Sequence, residues 1–361
     1  MVILGKLSKI AYPMLSFWRQ TCARPTIFFV RCWVTRGVPL FCALAIFLPS
    51  HEGHGDDAPW RARGFNNTRA GYQTAALTTC AAKPTGTLTV ATIDNVPIVT
   101  LFANRHPVTL LLDTGAERTT FLPATAERIA ARPPDIEFDR EMHGIAGTLP
   151  THEIELQSFA AGGVAIPWRR IMVAPVTLAK PFGVPLDGLV GSDVLSSFDT
   201  DIDLPRQRLI MYDKGSCVNG PPWIGSYSQF STGLSQGQDL FFPVRLDGHE
   251  IAAIVDTGAQ RTTLSLNVAH ALGVTDAMLA KDRSVSTRSA TAGHLQSRVH
   301  RFTQLQIGKE IIRDPELLVT DVNLRDADLV LGVDFLGSRE LWLAYESLQI
   351  YLTNSSMTTG Q

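Results

Sequence analysis

Two aspartates in this sequence stand in the same local context. Leu110-Leu111-Leu112-Asp113-Thr114-Gly115-Ala116 is followed by Arg118-Thr119-Thr120, and Ala253-Ile254-Val255-Asp256-Thr257-Gly258-Ala259 by Arg261-Thr262-Thr263. Carboxyls are acid–base groups, and two of them about 3 Å apart cannot both ionise, so such a pair shares one proton. The ionised member can draw a proton from water while the protonated one donates to a carbonyl oxygen. A single Asp-Thr-Gly is poor evidence for that chemistry, because Asp and Gly populate turns everywhere. Here the motif occurs twice, each time after an apolar run. Each copy is answered downstream by apolar-apolar-Gly-x-Asp, in Leu189-Val190-Gly191-Ser192-Asp193 and in Val330-Leu331-Gly332-Val333-Asp334. The spacing is nearly the same, from 113 to 193 and from 256 to 334. An internal repeat of this kind decides the fold before any single element does.

The elements that must position these residues read as short β-strands. Thr87–Ile93, Pro97–Phe102 and Val108–Asp113 are rich in Val, Ile, Thr and Leu. They are separated by the turn residues Asp94-Asn95 and Asn104-Arg105-His106-Pro107, which is hairpin patterning. A short helix is expected at Pro123–Ala131, more strands across 140–175, and another short helix after Gly191. Each half closes on a β-type run, Arg208–Tyr212 and Leu348–Leu352. Residues 51–85 lack periodicity and read as a flexible connector, and the Gly- and Ser-rich stretch 213–238 reads as a linker. The expected organisation is therefore a first lobe at 86–212 and a second at 239–355. The fold class is all-β, two similar barrel-like lobes with short helices only, related by a pseudo-two-fold with a cleft between them.

The doubled apolar–Asp-Thr-Gly-Ala motif with its later apolar-apolar-Gly resembles the retropepsin-like aspartic proteases, in the bacterial single-chain form with two repeats. The resemblance covers residues 85–355. It implies that Asp113 and Asp256 are the catalytic pair, with Thr114, Gly115, Thr257 and Gly258 as their support, and that the Gly191 and Gly332 segments thread behind the two loops. It also implies a hairpin over the cleft, with Gly144, Ile145, Ala146 and Gly147 as its substrate-binding tip and Thr291-Ala292-Gly293 as the second-half counterpart. Whether one such flap works or two stays open. The implied activity is endoproteolysis by a water held between the two aspartates, on a peptide or protein substrate, with no metal and no cofactor. The rival reading is a non-catalytic peptide-binding or scaffold protein that retains the fold. The linker makes the pairing of halves intramolecular, so a monomeric pseudo-dimer is expected.

Pepsin-like enzymes carry Ser or Thr where this sequence has Ala116 and Ala259. A hydroxyl there would favour an ionised carboxylate and alanine cannot, so the pair is expected to work toward mildly acidic or neutral pH. Arg118 is expected to pair with Asp193, and Arg261 with Asp334. The alternative places both arginines in the cleft to select acidic substrate side chains.

Composition sets the remaining bounds. Of 361 residues 45% are apolar and 18% charged, with a formal charge of −2. That suits a packed globular body and gives no basic stripe for nucleic acid. The first fifty residues differ: they hold Lys6, Lys9, Arg19, Arg24, Arg31 and Arg36, no acid before Glu52, and an apolar run from Val38 to Leu48. That run is shorter than the about 20 residues a spanning helix needs, and reads as a secretory signal or a retained N-terminal membrane anchor. An exported, periplasmic or otherwise extracytoplasmic protein is expected. Cys80 and Cys217 are the cysteines outside the leader. They stand in no CxxC or Cys/His pattern, so they are either one disulfide or two separate thiols.

Overall fold

The halves fold into two ten-stranded sheets, each a nine-strand path of the same order with a tenth strand off it, Ala91–Ile93 beside Val96–Ala103 and Gly233–Leu234 beside Leu240–Leu246. The computed structural model describes residues 80–354 except 136–139, 145–146, 179–182, 235–239, 292 and 325–326. The expected leader and most of the connector lie outside the described residues. So do Ile145 and Ala146 of the expected flap tip, and Ala292 of its counterpart.

In the first lobe the sheet runs from the hairpin Arg140–Gly144/Gly147–Glu155 through Arg170–Val173, Thr120–Phe121, Gly188–Val190 and His106–Leu112. It continues to Val96–Ala103, Phe159–Ala161 and Val164–Ala165. In the second lobe it runs from Arg283–Arg288/His294–Arg301 through Glu316–Thr320, Thr263–Ser265, Leu329–Leu331 and His249–Val255. It ends on Leu240–Leu246, Gln304–Ile307 and Glu310–Arg313. The strand that ends in each Asp-Thr-Gly lies parallel to the one that ends in the downstream glycine, with Leu112 beside Val190 and Val255 beside Leu331. The stretches that pair in parallel, 110–112 with Gly188–Val190 and 253–255 with Leu329–Leu331, are apolar and buried apart from a half-buried Ile254, as parallel pairing inside a sheet requires.

The turns follow from their residues. Asp94-Asn95 and Asn104-Arg105 take positive φ at both positions, the two-residue hairpin geometry that Asn and Asp tolerate. His106 and Pro107 already belong to the strand, so that turn is tighter than the sequence suggests. The first helix spans Pro123–Arg128 with proline in its first turn, and Ala130 at φ 50° ends it short of the expected Ala131. The run expected as one strand from Thr87 to Ile93 is two, Gly86–Thr89 and Ala91–Ile93. It breaks at Val90 because the chain changes sheets there.

The first of those pieces enters a third sheet, of six strands, built from both halves. Its order is Gly86–Thr89, Arg208–Tyr212, Asp199–Asp203, Glu340–Ala344, Gln349–Thr353, Tyr227–Ser231. The seam is Asp199–Asp203 against Glu340–Ala344, with Ile202 opposite Leu341. One face of this sheet packs Ile202, Leu209, Leu341, Leu343 and Ile350 into a core continuous with both lobes. The other carries an aromatic cluster of Tyr212, Trp342 and Tyr351, with Trp223 and Tyr227 against it. The stretch expected as a bare linker, 213–238, thus supplies a strand, Trp223 and Cys217 to that joint. Cys80 and Cys217 form a disulfide with Cα atoms 5.2 Å apart, and both lie in the same cluster.

The aromatic face also holds Asp201, 2% exposed. Trp223 Nε1 donates to its Oδ2 at 3.0 Å, while Oδ1 is buried and accepts nothing from the protein. Burial, with Glu340 and Asp203 on the same face, pushes its carboxyl up to about 7 against the Trp223 bond and Arg208. A raised folded pKa contributes stability that is fully present below the unfolded value, 3.8. That stability is lost as pH rises through about 7. Each pH unit in the window costs at most about 1.4 kcal/mol. Asp201→Asn keeps an acceptor for Trp223 and never ionises. In urea unfolding between about pH 4 and pH 8 the variant should gain on the wild type as pH rises. A constant difference across that range would show that Asp201 does not titrate there.

Candidate active site

The strand His106–Leu112 delivers Asp113, and His249–Val255 delivers Asp256, each at the point where parallel pairing stops. The last ladder bonds fix the backbone of both aspartates: Asp113 N donates to Val190 O at 3.1 Å and Asp256 N to Leu331 O at 3.0 Å. Each chain then turns back, with Ala116 N on Asp113 O and Ala259 N on Asp256 O. The two loops meet face to face.

What holds them is a reciprocal set of hydrogen bonds between the threonines. Thr114 Oγ1 donates to Val255 O at 2.8 Å and accepts from Thr257 N at 3.0 Å. Thr257 Oγ1 donates to Leu112 O at 2.6 Å and accepts from Thr114 N at 3.1 Å. Both side chains are buried. A hydroxyl is the one group of this size that donates and accepts at once, which is why threonine stands at both positions.

The glycines answer a different need. A Cβ built on Gly115 would fall on the Asp256 carboxyl, and one on Gly258 would lie 2.5 Å from the Asp113 carboxyl carbon. Each glycine therefore makes room for the aspartate of the other lobe. Gly115 N donates to Asp113 Oδ1 at 3.1 Å. Gly258 N and Ala259 N both donate to Asp256 Oδ1, at 2.8 and 3.0 Å. Each carboxyl thus packs on the glycine of the facing loop, which brings the two together at one spot between the lobes. Burial pushes the Asp256 carboxyl above the ordinary aspartate range, against those amides and Asp113. The arrangement is a pair of facing carboxyls, one of which keeps a proton at a pH where a lone aspartate would not.

Behind each loop stands a second acid. Thr119 donates to Asp193 Oδ1 from its amide at 2.8 Å and its hydroxyl at 2.7 Å, and Thr262 does the same to Asp334 Oδ1. Each threonine hydroxyl also accepts from the downstream glycine, Gly191 N at 3.1 Å and Gly332 N at 3.2 Å. Those glycines run close behind the loops: a Cβ would lie 2.6 Å from Ala116 O or 2.7 Å from Ala259 O. Arg118 Nε lies 3.4 Å from Asp193 Oδ2 and Arg261 Nε 3.2 Å from Asp334 Oδ2. The arginines thus face the acids behind the loops, as the repeat suggested, though each contact is single rather than forked. The main partner of each acid is a threonine, which sequence reasoning passed over. The sequence signal for it is that Arg-Thr-Thr recurs whole, the threonines as well as the charge.

The expected flap is a hairpin whose arms end at Gly144 and Gly147, paired with each other. Its second-lobe counterpart is held differently: Ser289 and Thr291 are buried and bonded to each other, and Thr177 N of the first lobe donates to Ala290 O at 2.8 Å. Among the described residues no group of three or more His, Cys, Asp or Glu is arranged to hold a metal ion.

Residues 98–194 match the model of a family described as aspartyl protease, and residues 242–338 that of a gag-polyprotein putative aspartyl protease. Each match contains one Asp-Thr-Gly and its downstream glycine. No curated protein matches the chain. Among solved structures, basic 7S globulin from soybean matches with TM-score 0.43 at 11% identity, over 76% of this chain and 96% of that one.

The threonine contacts can be tested one atom at a time. Thr114→Val leaves Val255 O without a donor and Thr257 N without an acceptor, two buried groups at about 1–3 kcal/mol each. Thr114→Ser keeps both bonds. Urea unfolding should therefore place the valine variant well below the serine variant, and equal midpoints would remove the cross-lobe bonds from the account.

Proposed function

The chain belongs to the aspartyl proteases, with two such domains in tandem in the retropepsin-like two-lobe form, and from that premise we propose that it is an aspartic endopeptidase acting through Asp113 and Asp256. The observation that carries the reading is that the two carboxyls come together where the two-fold-related loops meet, each packed on the glycine of the other loop.

The chemistry follows from one shared proton. A water between the carboxyls gives a proton to the ionised one as its oxygen attacks the scissile carbonyl carbon, and the protonated one donates to the carbonyl oxygen. The resulting diol collapses when a hydroxyl proton returns to one carboxyl and the other supplies the amide nitrogen, which leaves as an amine. The pair finishes with one proton, as it began. Titration belongs to the pair rather than to either residue. An extended substrate pairs its main chain with the hairpin whose outer strand, Arg140–Gly144, is a sheet edge. In this reading Gly144, Ile145, Ala146 and Gly147 touch the substrate.

Neither Ala116 nor Ala259 offers a side-chain donor to the pair, and burial holds Asp256 above its ordinary range. An acid with a raised pKa keeps its proton to higher pH, so the alkaline limb of activity moves up. The Cys80–Cys217 disulfide and the basic leader with its apolar run support action outside the cytoplasm.

Purified protein offered a diverse peptide mixture should cleave it, and a statine-type transition-state analogue should stop cleavage. Asp113→Asn and Asp256→Asn should each lower kcat by about 10³-fold or more with unchanged unfolding midpoints, since Asn keeps the shape and cannot exchange the proton. Substantial turnover by either variant would overturn the assignment. Analogue binding without any turnover by the wild type would favour a peptide-binding protein. The pH–rate profile should peak at mildly acidic to neutral pH, and a peak near about pH 2 would contradict the argument from the alanines.

A further inference from the structure

Arg118 sits where three pieces of the first lobe meet. Its Nη2 donates to Glu153 Oε1 at 3.2 Å, its Nε lies 3.4 Å from Asp193, and its Cζ lies 5.6 Å from the centre of the Trp168 ring. Asp193 belongs to the helix Ser192–Leu195 behind the Asp113 loop. Glu153 belongs to Gly147–Glu155, the inner arm of the hairpin over the cleft. Arg118 therefore ties the hairpin to the loop.

The second lobe shows what this tie is not for. Glu153 pairs with Met172 and Met172 with Thr120, while Val299 pairs with Leu318 and Leu318 with Thr263. Thr120 and Thr263 are the same position of the repeat, so Val299 occupies the place of Glu153. The same strand junction is thus built once with a buried carboxylate and once with valine. Burying a carboxylate is costly unless it is paired, and apolar replacements of buried ion pairs are often neutral for stability. The fold does not require the ion pair; one copy does without it. Arg261 accordingly meets Asp334 and has no carboxylate at the Glu153 position. The second hairpin is anchored across the cleft instead, by Thr177 N on Ala290 O.

We propose that Arg118 is a positioning residue that, through Glu153, sets the height of the first-lobe hairpin above the Asp113 loop, so that substrate is registered against the catalytic pair from the first lobe alone. This rests on the protease reading of Asp113 and Asp256. It makes the two hairpins unequal: one is fixed to its own loop by charge, the other to the opposite lobe by backbone.

The test uses the whole protein and the substitution that the second lobe already contains, Glu153→Val, beside Glu153→Gln, which keeps an acceptor oxygen for Arg118. Kinetics on a cleaved peptide, affinity for a statine-containing peptide, and amide exchange across 147–155 are measured together. Glu153→Val should lower kcat/KM by about 10-fold or more through misplacement, weaken analogue binding, and speed exchange in the inner arm, with an unfolding midpoint close to wild type. Glu153→Gln should recover most of each. Wild-type kinetics and wild-type exchange in Glu153→Val would overturn the proposal. If Glu153→Val does not fold, Arg118→Lys beside Glu153→Gln gives the same readings, and unchanged values in both would overturn it. A wild type without turnover would sink the protease reading, and exchange would then decide alone: faster exchange in Glu153→Val supports the tie, unchanged exchange refutes it.

Discussion

Two carboxyls standing against each other repel once both ionise, so something other than their own attraction must hold them there. In this protein the holding is done by backbone and by threonine. Thr114 and Thr257 exchange four hydrogen bonds with the facing loops, all buried, and none involves an aspartate side chain. The geometry of the pair is thereby made independent of its charge state, which lets the protonation change without the lobes parting. Each loop also depends on its own backing acid: Asp193 and Asp334 receive the amide and hydroxyl of the following threonine and keep the turn from relaxing. Desolvation raises Asp193 above the ordinary aspartate range in spite of those donors and Arg118, so the support is itself under electrostatic load.

The rest of the architecture serves to keep those loops opposed. The six-stranded sheet takes three strands from each half and runs an antiparallel seam between them. A rigid-body rotation of one lobe would shear that seam. Its inner face belongs to the common core, while its outer face is closed by the aromatic cluster and the Cys80–Cys217 bond. The buried acids Asp199, Asp201 and Asp203 on its central strand add no apolar stabilisation. Asp203 is matched by Arg206 and Arg208, and Asp201 by an indole N–H alone.

The two Asp-Thr-Gly loops were legible in the sequence because their information is local and stated twice. Asp113 and Asp256, the glycines and the threonines that cross the seam all lie within a few residues of one motif. The nearly equal spacing to Gly191 and Gly332 told which distant strand must thread behind. The inter-lobe sheet was not legible in the same way. Its central strand, Asp-Thr-Asp-Ile-Asp, is polar at positions that are buried, and its edge strand Tyr227–Ser231 sits in a stretch whose Gly and Ser content reads as linker. Burial there is created by the partner half and by the aromatic lid, which no local pattern announces. Glu153 escaped for a related reason. Its importance is visible only through register, once Met172 and Leu318 identify Val299 as its counterpart.

Carrying both halves in one chain changes what such a site can be. A homodimer must repeat every feature on both sides, so any residue that helps one hairpin is imposed on the other. Covalent linkage keeps the halves at high effective concentration and frees each copy to vary. The copies agree wherever the geometry of the pair depends on them: Thr114 and Thr257, Gly115 and Gly258, Asp193 and Asp334. They differ along the hairpins, at Glu153 against Val299 and, among the described residues, in the bond from Thr177 N to Ala290 O beside the second-lobe tip. In the proposed reading, symmetry is thus kept where two carboxyls must be equivalent enough to exchange a proton, and given up where a peptide, which has a direction, would lie.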